Sequence, residues 1–120
     1  MLVLDTHVLL HALAGDLTPR EQTVLSRDTW SISAVSLWEV AKLGQLGRVE
    51  IDLDDADVGR ALARIHTWPL TLEVCRASTR LDFQADPADE LIAATSLVHG
   101  AALATRDKQI RRSRSLTFAW

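Results

Sequence analysis

Apolar residues in this chain follow two rhythms, and their alternation outlines a fold. Residues 1–4 form a short unbroken apolar run stopped by Asp5, as expected of a strand covered on both faces. Residues 30–33, 101–104 and 116–119 read as further short strands, and 68–71 as a strand or extended segment. Helical spacing fills the intervals. Val8, Leu9, Leu10, Ala12 and Leu13 share a helix that stops near Gly15. Thr18-Pro19-Arg20-Glu21 combines a cap, a proline inside the first turn and a capping-box acid, and starts a helix reaching about Arg27. Val35, Leu37, Trp38, Val40, Ala41 and Leu43 predict a helix ended by Gly44 or Gly47. Helices are also expected over 56–66 and 72–81. Another starts at Asp86-Pro87 and stops at Gly100, and a short one covers 107–112.

Strands alternating with helices imply an α/β fold, with a mainly parallel sheet between two helical layers. The chain has 120 residues, no internal repeat and no linker-like stretch, so a single domain over 1–120 is expected. Hydrophobic residues make up 48%, which excludes a disordered chain. No apolar run approaches the roughly 18 residues of a membrane span, and no basic leader precedes the first strand. The lone Cys75 rules out an intrachain disulfide and reads as a packing residue. These features together suggest the cytoplasm. The net charge of -3 argues against a surface that is basic throughout. Charge is nonetheless uneven: Arg106, Lys108, Arg111, Arg112 and Arg114 crowd the C-terminal end, while Glu50, Asp52, Asp54, Asp55 and Asp57 make the middle acidic. The basic cluster could hold RNA phosphates or simply be a solvated face.

In parallel sheets of this kind, ligands sit beyond the carboxyl ends of the strands. Asp5 ends the first strand and Asp107 closely follows the strand at 101–104. Asp89 occupies a first helical turn, and Glu39 lies within the helix after the second strand. An acid directly after four apolar strand residues is partly buried and needs a partner. Glu39 stands among Leu37, Trp38, Val40 and Ala41, although pairing with Lys42 on a solvated face would also explain it. Several carboxylates in one place repel each other, and a hard divalent cation such as Mg²⁺ or Mn²⁺ removes that penalty. Such an ion supports hydrolysis of a phosphodiester without any nucleophilic side chain. Asp86 needs no role beyond capping.

At this point the motifs become recognisable. Leu2-Val3-Leu4-Asp5-Thr6-His7 resembles the first strand of PIN domains of the VapC toxin type. Ser33-Ala34-Val35-Ser36-Leu37-Trp38-Glu39-Val40 is similar to the second motif of that family. Asp86-Pro87-Ala88-Asp89-Glu90-Leu91-Ile92-Ala93-Ala94-Thr95 resembles the third, and Leu103-Ala104-Thr105-Arg106-Asp107 the fourth. The four occur in family order and cover nearly the whole chain. The resemblance implies a PIN-like three-layer α/β/α fold and endoribonuclease activity dependent on Mg²⁺ or Mn²⁺. It implies Asp5, Glu39 and Asp89 as core metal-binding acids, with Asp107 completing the site. Thr6 and Thr105 would orient carboxylates or a water. It also implies a toxin of a type II toxin–antitoxin pair, held by a VapB-like antitoxin and assembled as a homodimer. Apolar surface on the first helices, including Leu17 and Val24, would then meet the antitoxin or a second subunit. Gln109 stands where some relatives carry a further acid, which leaves the number of metals open.

Other constellations carry less. His7 and His11 share a helix face suited to Zn²⁺, but no third ligand is evident. His66 and His99 are placed near helix ends. The four tryptophans suit packing better than base stacking. A phosphorylatable receiver would need paired acids after the first strand and an Asp ending the central one, and the chain has neither. The main alternative to a nuclease is a non-catalytic PIN-like module that binds RNA or protein.

Overall fold

A computed structural model of the protein describes all 120 residues. Its elements are β1 (Leu2–Leu4), α1 (Thr6–Ala14), α2 (Pro19–Leu25), β2 (Trp30–Ser33), α3 (Ala34–Gln45), α4 (Ala56–Ala63), β3 (His66–Trp68), α5 (Leu72–Ser78), α6 (Pro87–His99) and β4 (Ala102–Ala104), followed by a 3-10 turn at Ile110–Arg112. The strands form one parallel sheet in the order β3-β2-β1-β4. The apolar run of β1 divides between two cores because side chains alternate along a strand. Leu2 and Leu4 join Val8, Leu9, Leu25, Ile32 and Val40 on one face. Val3 joins Val35, Ile92, Ala93, Leu103 and Ile110 on the other. The sheet is thus covered on both sides by helices, in the α/β/α arrangement expected.

Local chemistry sets the helix ends. Thr18 Oγ1 accepts from Glu21 N at 3.2 Å and Glu21 Oε1 accepts from Thr18 N at 2.8 Å, completing the capping box of α2. Gly15 and Gly100 close α1 and α6 at positive φ, a backbone region that glycine enters without a Cβ clash. Helix α3 passes through Gly44, and the turn out of it uses Gly47 at φ +70°.

Several boundaries differ from the sequence expectation. Helix α4 ends at Ala63, so His66 opens β3 instead of closing a helix. Strand β3 precedes Pro69, which lacks the N–H a ladder requires. Helices α2 and α5 stop at Leu25 and Ser78. The strand expected at 116–119 is reduced to one parallel bridge, Leu103 to Phe118. Leu103 N donates to Thr117 O at 2.8 Å and Ala119 N to Leu103 O at 3.0 Å, and Arg111 adds a further hold: its guanidinium donates to Trp120 O and lies 5.3 Å from the Phe118 ring centroid. Leu17, expected on a docking surface, packs against the protein's own core.

Leu9 has no exposed surface and sits where α1 meets the sheet. Leu9→Ala is expected to destabilise the fold by about 2–5 kcal/mol. Urea denaturation should show a lower midpoint at an unchanged slope.

Candidate metal centre

Parallel pairing of β1 with β4 places Leu4 beside Ala104, so the residues that leave the two strands are neighbours. Asp5 N donates to Ala104 O at 3.0 Å. The Asp5 side chain then does two things. Its Oδ1 caps α1, accepting from Val8 N at 2.8 Å, and its Oδ2 accepts from the Thr105 hydroxyl. Asp5 is 7% exposed. Burial pushes its carboxyl above the ordinary range, against the opposing effects of the Thr105 and Val8 hydrogen bonds.

Thr105 also accepts from Asp107 N at 3.1 Å. Asp107 in turn accepts from Gln109 N at 2.8 Å and Ile110 N at 3.1 Å, which folds the chain into its terminal turn. Glu39 is half-buried on α3. The Thr6 hydroxyl donates to its Oε1, and Thr6 Oγ1 lies 3.0 Å from Ser36 Oγ. Asp89, also half-buried, occupies the first turn of α6.

A helix N-terminus ordinarily favours a carboxylate. Asp89 goes the other way: its pKa is pushed up to about 6, first by burial and then by the charges of Glu39, Asp5, Asp107 and Asp86. Those couplings bring all four predicted acids to one edge of the sheet. None forms a direct ion pair, because the ion pairs of the protein are Met1 N–Asp28, His11–Asp16, Arg60–Asp57 and Arg106–Glu21, and His7 and Arg106 act on Asp5 only from beyond contact distance. Hard oxygen donors that repel one another and lack a direct ion pair suit Mg²⁺ or Mn²⁺. No three of the protein's His, Cys, Asp or Glu side chains are arranged to enclose an ion directly. Mg²⁺ does not need such a cage, since it keeps several waters and takes one or two carboxylates. The acids line none of the cavities; Asp107 is exposed, Glu39 and Asp89 are half-buried and Asp5 is buried.

Other expected residues are placed differently. His11 Nδ1 pairs with Asp16 at 2.7 Å, and with no third ligand the His7–His11 zinc arrangement is not formed. Asp86 holds the cap position of α6, but its side chain makes no capping bond. Within the basic cluster, Arg106 is committed to Glu21 and Arg111 to the tail, leaving Lys108, Arg112 and Arg114 exposed. Gln109 Nε2 donates to Gln84 O at 2.6 Å. Two participants escaped the sequence reading. Ser36 is visible only as a hydroxyl one helical turn before Glu39. Glu21 was accounted for as a cap, and nothing in the spacing joins it to Arg106.

The PIN domain family profile matches residues 2–115. Ribonuclease VapC22 of Mycobacterium tuberculosis is 31% identical over 96 residues, which cover 78% of this chain and 74% of that protein. Among solved structures, a toxin–antitoxin complex from Klebsiella pneumoniae superposes with a TM-score of 0.76 at 17% identity, covering 100% of this chain and 98% of its own. VapBC2 from Rickettsia felis, bound to a promoter DNA fragment, gives 0.75 at 18%, with 97% and 95% covered. The sheet order, the two helical layers and the sequence matches agree: the chain belongs to the PIN domain family and is of the VapC type.

Proposed function

We propose that this protein is a metal-dependent endoribonuclease and the toxin of a type II toxin–antitoxin pair. One observation carries the metal site: Asp89 is half-buried within charge reach of Glu39, Asp5 and Asp107, and none of the four makes a direct ion pair with a protein cation. The naming of the mycobacterial relative as a ribonuclease supports the substrate class, and the toxin–antitoxin complexes among the structural relatives support the partner. Asp5, Glu39, Asp89 and Asp107 hold Mg²⁺ or Mn²⁺. Bound there, the ion supplies Lewis acidity and neutralises charge on the phosphoryl group. Thr105 and Thr6 fix Asp5 and Glu39 by each donating a hydrogen bond to one carboxylate oxygen. The chain acts as one domain in the cytoplasm, as a homodimer held by a VapB-like antitoxin. No helix is long and apolar enough to cross a membrane.

Asp5→Asn is expected to lower cleavage of total RNA by more than the roughly 10–100-fold typical of losing an outer hydrogen-bond partner. The test is a gel assay with and without Mn²⁺ or Mg²⁺, beside circular dichroism to check the fold. Undiminished cleavage by the pure, folded variant would remove Asp5 from the site. A wild-type protein inactive with every metal and free of partners would favour a binding module.

The acid cluster also predicts a pH dependence. Between the ordinary value of 3.8 and about 6, the folded chain keeps a proton on Asp89 that the unfolded chain has released. The contribution of Asp89 to the stability of the metal-free protein therefore falls as pH rises through that window. Asp89→Asn removes the effect. In EDTA the variant should be more stable than wild type at pH 7, with the gap closing by about pH 4. Thermal melts across that range decide it, and a variant less stable at pH 7 would count against the repulsion.

The exposed cations next to the site are expected to hold phosphates. Arg112→Glu should weaken RNA binding and lower its salt slope by about one for the lost contact. Fluorescence anisotropy at several salt concentrations measures this, and an unchanged slope would assign Arg112 to the solvated surface.

A further inference from the structure

Glu21 stands outside the acid cluster and is 5% exposed, less than Asp5. Its carboxylate accepts three donors. Arg106 Nε reaches Oε2 at 2.7 Å, while Arg106 Nη2 and Thr18 N reach Oε1 at 2.6 and 2.8 Å. Helix capping does not require this arrangement, because Gln at the same position would serve the capping box. Only the carboxylate of the pair is buried, since the Arg106 side chain is 37% exposed. The placement of Arg106 is more informative. It lies between Thr105, which donates to Asp5, and Asp107, whose N–H donates to Thr105. Beyond β4 the chain has no helix or strand until Ile110. A two-point guanidinium–carboxylate contact fixes orientation as well as distance. Here it joins that irregular segment to α2 across 85 residues.

We propose that Glu21 and Arg106 form a positioning pair for the metal centre. The pair holds residues 105–107 so that Thr105 orients Asp5 and Asp107 stays with the other acids. This rests on the metal-site reading above, and the test separates the two.

Glu21→Gln keeps the cap but loses the ion pair, Arg106→Gln loses it from the other side, and the double variant completes a cycle. Mn²⁺ affinity is read by electron paramagnetic resonance on the purified protein. Each single variant is expected to bind Mn²⁺ about 10–100-fold more weakly. The double variant should be no worse than either single, because the two residues act as one unit. In the metal-free protein, the amides of Asp107, Gln109 and Ile110 should exchange faster in all three variants. Thr18→Ala serves as control: it weakens the same helix start, so it should lower the melting temperature while leaving Mn²⁺ affinity and those amides unchanged.

Unaltered affinity and exchange in folded Glu21→Gln would overturn the proposal. So would additive losses in the double variant, normal binding by Arg106→Gln, or an equal loss in Thr18→Ala. Wild-type protein that binds no Mn²⁺ would overturn the metal reading itself. Exchange then decides alone whether the pair holds the loop, and unchanged exchange overturns the proposal there too.

Discussion

The hydrogen bond from Thr105 to Asp5 joins two distant parts of the chain where β1 meets the edge strand β4, and the site depends on it. It exists because β1 and β4 are parallel neighbours in register, so that two residues 100 positions apart emerge together. Each strand is only three residues long. Such short strands gain little from ladder hydrogen bonds alone. Their hold comes from burial, with Leu4, Leu103 and Ala104 all without exposed surface. The precision of the site is therefore inherited from packing on both faces of the sheet. A loosened core would separate Asp5 from Thr105 before it unfolded the helices.

Much of this was legible in the chain. The stop from Leu4 to Asp5 announced a strand end with a partly buried acid, and the structure shows that acid as both helix cap and hydrogen-bond acceptor. Thr18-Pro19-Arg20-Glu21 announced its capping box. What periodicity could not reveal was which residues a distant segment would claim. Arg106 and Arg111 looked like members of one basic run, yet Glu21 takes the first and the tail carbonyl of Trp120 takes the second. The tail at 116–119 has strand-like composition, but only Phe118 forms a bridge to Leu103. Pairing across the fold is a tertiary outcome, and local pattern is silent about it.

The four acids illustrate a conflict between local and global preference. Asp89 sits at a helix start, where a carboxylate is ordinarily favoured, yet its surroundings disfavour its charge. Burial and four neighbouring carboxylates outweigh the helix dipole, whose effect is rarely above about 1 kcal/mol at an exposed site. A protein selected for stability alone would place a lysine or arginine among these acids. Two arginines close to Asp107 in sequence, Arg106 and Arg111, are instead directed elsewhere.

The choice of partners makes the same point more sharply. Asp5 and Glu39 are held by hydroxyls, Thr105 and Thr6, whereas Glu21 is held by a guanidinium. A hydroxyl donor fixes where a carboxylate oxygen lies without cancelling its charge, and its other side remains free to accept, as Thr105 does from Asp107. A guanidinium fixes position and neutralises together, and the Glu21 carboxyl accordingly falls to about 2. The two treatments divide the buried acids by consequence. Glu21 is satisfied within the protein and serves as a strut. Asp5 and Glu39 are positioned by neutral donors, and beside them burial and like charge push the Asp89 carboxyl up to about 6.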